Sequence, residues 1–174
     1  MTMIEILRAR LRSLAAAAVL TAAALAAAPP FPASAQIAAG GYVSMTLSGG
    51  VDRPLDTIRM PLVNGGDPSV KVGLAQISVA DGVMRGRLTT RLGFLTFESA
   101  APSGPGAMPA VTSAEFFDSA GAQYRMGAGG AELVVEDYIP GAAITLRFAS
   151  GMEGVDGGPP AAVAVTASAP VAGR

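Results

Sequence analysis

Residues 83–97 read VMRGRLTTRLGFLTF, and this stretch has the clearest pattern in the chain. Apolar residues alternate in it with charged or polar ones. One side carries Met84, Leu88 and Leu92, and the other carries Arg85, Arg87, Thr89 and Arg91. A period of two is typical of a half-buried β-strand. The preceding Asp81-Gly82 is the signal for a type I′ turn, so the stretch predicts a β-hairpin.

The same alternation recurs on both sides of this stretch, over Val43–Leu47, Ile58–Leu62 and Ile144–Phe148. Pro61 predicts a sheet edge because proline cannot donate to a ladder, and Pro140-Gly141 predicts a type II turn. The chain is therefore predicted to be all-β, an antiparallel β-sandwich or small barrel of about 7–9 short strands. No βαβ alternation appears, which argues against a nucleotide-binding α/β fold.

Four segments fit this scheme less simply. Thr112 to Gly121 fits a short helix or a hairpin, and we favour the hairpin because glycine suits its left-handed position. Residues 64–67 predict a turn, followed by a strand from Val70 with a break near Gly73. Residues 100–110 contain three prolines and predict an irregular loop. Residues 127–130, Gly-Ala-Gly-Gly, predict a linker.

The N-terminal segment predicts export. Three arginines within residues 8–12 precede a 15-residue apolar run from Leu14 to Ala28, and Ala33-Ser34-Ala35 follows as an A-x-A cleavage site. These are the parts of a secretory signal peptide, so we predict a signal peptide helix over residues 1–35 with cleavage after Ala35. The run is shorter than the ~20 residues of a membrane span, and no transmembrane segment is expected after signal removal.

The remaining chain divides by composition into an all-β domain over residues 36–150 and a Gly/Pro/Ala-rich tail over residues 151–174. The tail is expected either to add one strand or to be disordered. The excess of alanine and glycine, with arginine preferred over lysine, suggests a GC-rich bacterial genome. Together with the signal peptide, this predicts a periplasmic or secreted protein of a Gram-negative bacterium.

Composition narrows the chemistry. Cleavage would leave 139 of the 174 residues, with 9 basic and 12 acidic side chains, a net charge of −3 that does not suit nucleic acid. Cysteine and histidine are absent from the sequence, which excludes disulfides, thiolate or imidazole metal ligands, and the nucleophiles and bases built on them. We therefore expect no catalytic residue, no metal and no cofactor, and a protein that is not an enzyme.

Arg85, Arg87 and Arg91 are the candidate binding residues. Guanidinium groups on one strand face could bind the carboxylates or phosphates of an anionic envelope component. In the alternative interpretation they are the solvated side of a sheet, paired with acidic residues across strands.

Carboxylates are the other candidates. Glu132, Glu136 and Asp137 lie close in sequence, and Glu115 and Asp118 could approach them. Two carboxyl groups suffice for glycoside hydrolysis, but Glu132 and Glu136 would be about 13 Å apart on one strand, too far for either geometry. Aspartates in predicted turns could supply calcium ligands, but they lack EF-hand spacing.

The favoured function is therefore a non-enzymatic binding or structural module of the periplasm or cell envelope, with an anionic envelope component or another protein as partner. One alternative is a carboxylate-only, glycan-active enzyme. Another is a strand-exchange assembly subunit that uses the tail after Ala149 as a donor segment.

Overall fold

A computed structural model of the chain describes residues 41–50, 55–62, 69 and 71–172. These residues form nine strands and no helix, as the all-β prediction requires. The strands are β1 (Tyr42–Gly49), β2 (Asp56–Pro61), β3 (Leu74–Ala80), β4 (Val83–Thr90), β5 (Gly93–Ala100), β6 (Val111–Asp118), β7 (Gln123–Ile139), β8 (Ala143–Gly154) and β9 (Ala161–Ala172). The predicted signal peptide, its cleavage site at Ala33 and Ala35, and the predicted turn at residues 64–67 lie outside the described residues.

Seven of the described strands, β3 to β9, close into a barrel. Consecutive strands pair from β3 to β9, and β9 then meets β3 through two residue pairs, Ile77 with Val171 and Ser78 with Ala172. β1 pairs with β9 over residues 161–168, and β2 pairs with β1 at the margin of the sheet. The small-barrel alternative is thus the observed one. The β3–β9 ladder is parallel, which departs from the purely antiparallel prediction.

One hydrophobic core takes buried side chains from the seven barrel strands and from β1 and β2. β8 contributes three large side chains to it, because Ile144, Leu146 and Phe148 are at most 1% exposed. Phe148 stacks on Phe97 of β5, with ring centroids 5.7 Å apart. Full burial of one such side chain stabilises the fold by roughly 1.5–3 kcal/mol, so this interior supplies the main driving force for folding.

Three turn and edge predictions are confirmed. Asp81 and Gly82 both have positive φ, 53° and 75°, which defines the type I′ turn between β3 and β4. At the β7–β8 turn the Ala142 N–H donates to the Ile139 carbonyl at 3.0 Å, and Gly141 has a φ of 69°, as a type II turn requires. Pro61 lies in β2, which pairs on one side only among the described strands.

The ambiguous segment around Thr112 is a hairpin and not a helix. β6 and β7 are joined through residues 119–122. Asp118 Oδ1 accepts hydrogen bonds from the N–H groups of Ala120 at 2.8 Å and Ala122 at 2.9 Å. The aspartate therefore fixes the turn through its own side chain.

The linker predicted at residues 127–130 is wrong. These residues lie within β7, where the register with β8 jumps from Met126 opposite Met152 to Ala131 opposite Ser150. The strand therefore absorbs the glycines as a bulge, and pairing resumes beyond them. As a result β7 is 17 residues long. β8 and β9 have 12 residues each, so all three strands are longer than the short strands predicted.

The two remaining irregular segments have structural places in the barrel. In the loop between β5 and β6, the Gly106 N–H donates to the Val135 carbonyl at 2.7 Å, and the Val135 N–H donates to the Ala107 carbonyl at 2.8 Å. These bonds fix the loop to β7. The tail holds the end of β8 and then β9, whose inward residues from Ala161 to Val171 belong to the core. Among the described residues, no helix is long and apolar enough to cross a membrane.

Candidate binding face on strands β3 to β6

The outward side of four neighbouring strands carries a compact set of polar and charged residues. Because inward residues such as Ile77 and Phe97 alternate with them, their side chains stand on the outer surface. The strand register aligns them in two rows across the sheet. We name them the β3–β6 face: Gln76, Ser78, Arg85, Arg87, Thr96, Glu98, Ser113 and Glu115.

An open groove of about 710 Å³ runs across this face. At one end it is lined by Pro170, Val171 and Ala172 of β9. There β3 and β9 share two residue pairs, so the groove begins at the barrel's seam. From the seam it crosses to Ser113 and Glu115 of β6. The volume falls within the range of ordinary ligand sites.

Arg85 is already engaged within the face. Its Nε donates to Oε1 of Glu98 at 2.7 Å, and the two side chains are 58% and 46% exposed. Exposed pairs of this kind contribute about 0–1 kcal/mol to stability. This is the cross-strand pairing that the solvated-face interpretation of the arginines describes.

Arg87 is held differently. Its guanidinium carbon lies 4.5 Å from the ring centroid of Phe94, and Phe94 in turn stacks on Phe117 with centroids 4.7 Å apart and planes inclined by 13°. The three groups come from β4, β5 and β6 and form one layered stack. Within the part of the chain that the structure describes, none of the ion pairs involves Arg87. A stacked guanidinium keeps its N–H donors in its own plane, where a ligand can reach them.

Arg91 does not belong to this face. The prediction that it shares a strand face with Arg85 and Arg87 is wrong, because β4 ends at Thr90 and Arg91 is exposed in the following turn. The buried Leu92 ends the alternation at the same turn. The structure therefore brings two of the three predicted arginines together.

The face also carries two carboxylates, Glu98 and Glu115, which the sequence analysis did not predict to be neighbours. Glu98 lies opposite Ser113 and Glu115 lies opposite Thr96, so the two glutamates are diagonal neighbours across β5 and β6. Glu115 Oε1 is 3.4 Å from Nε of Arg125. Each carboxylate thus contacts an arginine and is about half exposed. Neither has the buried, apolar setting in which a carboxyl group serves as a general acid. The alternation of residues 93–98 places Glu98 outward. Only the register between β5 and β6 shows that Glu115 lies beside it.

The carboxylates predicted as a cluster are used separately. Glu136 Oε1 is 2.8 Å from Nε of Arg147, and Asp137 Oδ1 accepts from the N–H of Tyr138 at 2.9 Å. Asp118 fixes the β6–β7 turn, and Glu132 is exposed. No group of three acidic residues among the described residues is arranged to hold a metal ion.

The chain matches no protein-family model, no curated protein and no solved structure. The chemistry of the β3–β6 face is therefore the basis for a functional proposal.

Proposed function

We propose that this protein is an exported, non-enzymatic binding module of the periplasm or cell envelope, and that the β3–β6 face is its binding surface. The observation that carries the proposal is the setting of Arg87. Arg87 is an exposed arginine held against Phe94 beside an open groove, and no acidic side chain of the described chain forms an ion pair with it. An arginine fixed in this way is prepared to bind an anion, because less of its side-chain freedom is lost on binding.

The surroundings of Arg87 favour binding over catalysis. The groove combines apolar surface with amide, hydroxyl, guanidinium and carboxylate groups that can donate or accept hydrogen bonds. Its two carboxylates are engaged by arginines, and the sequence has no histidine or cysteine to act as base or nucleophile. An anionic envelope component is the ligand class that this composition suits.

The location rests on the sequence. The basic, apolar and A-x-A segments of residues 1–35 predict that residues 36–174 reach the periplasm or the exterior. An envelope ligand is therefore within reach of the folded domain.

The glycan-active enzyme is the second candidate, and the diagonal pair Glu98 and Glu115 is the observation in its favour. Diagonal neighbours on paired strands lie about 7–8 Å apart, within the separation used by inverting glycosidases. Their ion pairs with Arg85 and Arg125 argue against it. The strand-exchange subunit has less support, because its proposed donor segment already forms β9 of the protein's own barrel.

The test is the binding of purified residues 36–174 to peptidoglycan sacculi and to outer-membrane vesicles of a Gram-negative host, measured by co-sedimentation. The double variant Arg85→Gln/Arg87→Gln should no longer sediment with the preparation that binds the unmodified protein. The Arg91→Gln variant should sediment like the unmodified protein. The proposal fails if neither preparation retains the protein, or if the double variant is retained equally well. Release of new reducing ends from the sacculi would favour the enzyme instead.

A further inference from the structure

We infer that the β3–β6 face takes a glycan that carries isolated carboxylates, a uronate-containing saccharide, and not a densely phosphorylated polymer. This inference rests on the proposed binding function and adds the class of ligand. It follows from the order of charges on the face, from the way in which Arg87 is held, and from the groups beside it.

The charges on the face alternate in sign. Arg85 contacts Glu98 across β4 and β5, and Glu115 contacts Arg125 across β6 and β7. On the face itself, Arg85 and Arg87 balance Glu98 and Glu115 in charge, and Arg125 of β7 places one further positive charge beside Glu115. A polymer with a phosphate at every unit would bring anions against both glutamates, and like charges at such distances repel. A ligand with one carboxylate among several neutral groups meets no such repulsion.

Arg87 suits a carboxylate in shape as well as in charge. The guanidinium is flat and presents paired N–H donors that match the two oxygens of a carboxylate. Phe94 and Phe117 stack on each other behind it, so the contact with Phe94 restricts the position of the guanidinium before the ligand arrives. A lysine at this position would keep the positive charge but lose the paired donors and the flat contact with Phe94.

The groups around Arg87 suit sugar hydroxyls. Glu98 and Glu115 offer acceptor oxygens, and Gln76, Ser78 and Ser113 can both donate and accept. Sugar hydroxyls need both kinds of partner at close spacing, which two rows of side chains about 7 Å apart along the strands can supply. The groove is also open, so a chain longer than the groove can pass through it.

The test is calorimetric titration of residues 36–174 with three probes: oligogalacturonate, oligoalginate, and inorganic polyphosphate of similar length. We expect at least one of the two uronates to bind more tightly than polyphosphate. Its fully methyl-esterified form, which keeps the hydroxyls and loses the charge, should bind about tenfold more weakly or worse. Arg87→Gln and Arg87→Lys should each weaken uronate binding by a similar factor, and Arg91→Gln should not. Circular dichroism of each variant confirms that it is folded.

The outcomes separate this inference from the proposed function. Tighter binding of polyphosphate, or equal binding of the esterified oligomer, overturns the uronate assignment and leaves the binding module in place. An Arg87→Lys variant with unchanged affinity also overturns it, because charge alone would then suffice. If an envelope preparation retains the protein through Arg87 but neither uronate binds to the protein, the uronate assignment fails and the proposed function stands. If no envelope preparation binds either, both fail.

Discussion

Phe97 occupies the space that a side chain on Gly86 would need. The two residues are paired across β4 and β5, and a Cβ on Gly86 would overlap the Phe97 ring. Phe97 is buried and stacks on Phe148, so the ring has little freedom to move aside. Gly86 thus allows close packing beneath β4 at the point where Arg85 and Arg87 stand outward.

Gly86→Ala should therefore destabilise the protein. Over-packing a filled core costs about 1–3 kcal/mol, and the free energy of unfolding in urea should fall by that amount. Gly151→Ala is the matched control, because Gly151 also lies in a strand and a Cβ there would meet nothing within 4 Å. Equal effects of the two substitutions would contradict the role assigned to Phe97.

Thr89 and Thr90 should respond in opposite ways to replacement by valine. Thr89 Oγ1 is buried without a hydrogen-bond partner in the described structure, whereas Thr90 Oγ1 accepts from the N–H of Leu92 at 3.2 Å and donates to Met45 Sδ at 3.4 Å. Thr89→Val removes an unsatisfied group and should raise the free energy of unfolding by about 1 kcal/mol. Thr90→Val leaves a buried N–H unpaired and should lower it by about 1–3 kcal/mol. The same sign for both variants would refute this difference.

Removal of β9 should abolish the fold. A chain that ends at Pro160 lacks the strand that pairs with β8, β1 and β3, and the core loses six inward residues from Ala161 to Val171. We expect this shortened chain to show no cooperative unfolding transition and only a narrow range of amide proton chemical shifts in its NMR spectrum. A chain that ends at Ala172 should retain both and is the control. A well-folded chain ending at Pro160 would show that the tail is dispensable and would revive the donor-strand alternative.

Export predicts a defined N-terminus. Expressed with its full sequence in a Gram-negative host, the protein should appear in the periplasmic or culture fraction with an intact mass that begins at Gln36. Replacing Ala33 and Ala35 by bulky residues should block processing and leave the longer form at the membrane. A cytoplasmic protein that retains Met1 would contradict the assigned location.

The parts of the fold that depend on local sequence were predictable. Alternation over residues 83–97 identified the β structure of this stretch but missed the turn at Arg91 and Leu92 that divides it into β4 and β5. Asp81-Gly82 and Pro140-Gly141 identified two turns from their backbone requirements. Closure of the barrel was not predictable in this way. It depends on a parallel contact between Ile77 and Val171, which lie far apart in sequence and follow no local pattern. The prediction of a linker at residues 127–130 was wrong for a related reason. Only the pairing with β8 shows that β7 continues past these glycines.

At the candidate site, too, local sequence predicted some features and the strand register was needed for the others. Alternation alone placed Arg85 and Arg87 on one outward face. It extended that face wrongly to Arg91, because the strand's end at Thr90 is set by the turn to β5. Neither the Phe94–Phe117 stack nor the nearness of Glu98 and Glu115 can be derived without the β5–β6 register. Residue types indicated anion binding, and the structure shows that Arg87 is the one of the three predicted arginines that stacks on an aromatic ring.

The most direct test of the central claim is a map of ligand contacts on isotope-labelled residues 36–174. Amide spectra would be recorded during titration with the soluble anionic glycan fraction of a Gram-negative envelope. We predict that the largest shift changes fall on Ser78, Arg85, Arg87, Thr96 and Ser113, with little change on the outer side of β1 and β8. Saturable changes confined to β1 and β8, or no change at any concentration, would contradict the assignment of the β3–β6 face as the binding surface.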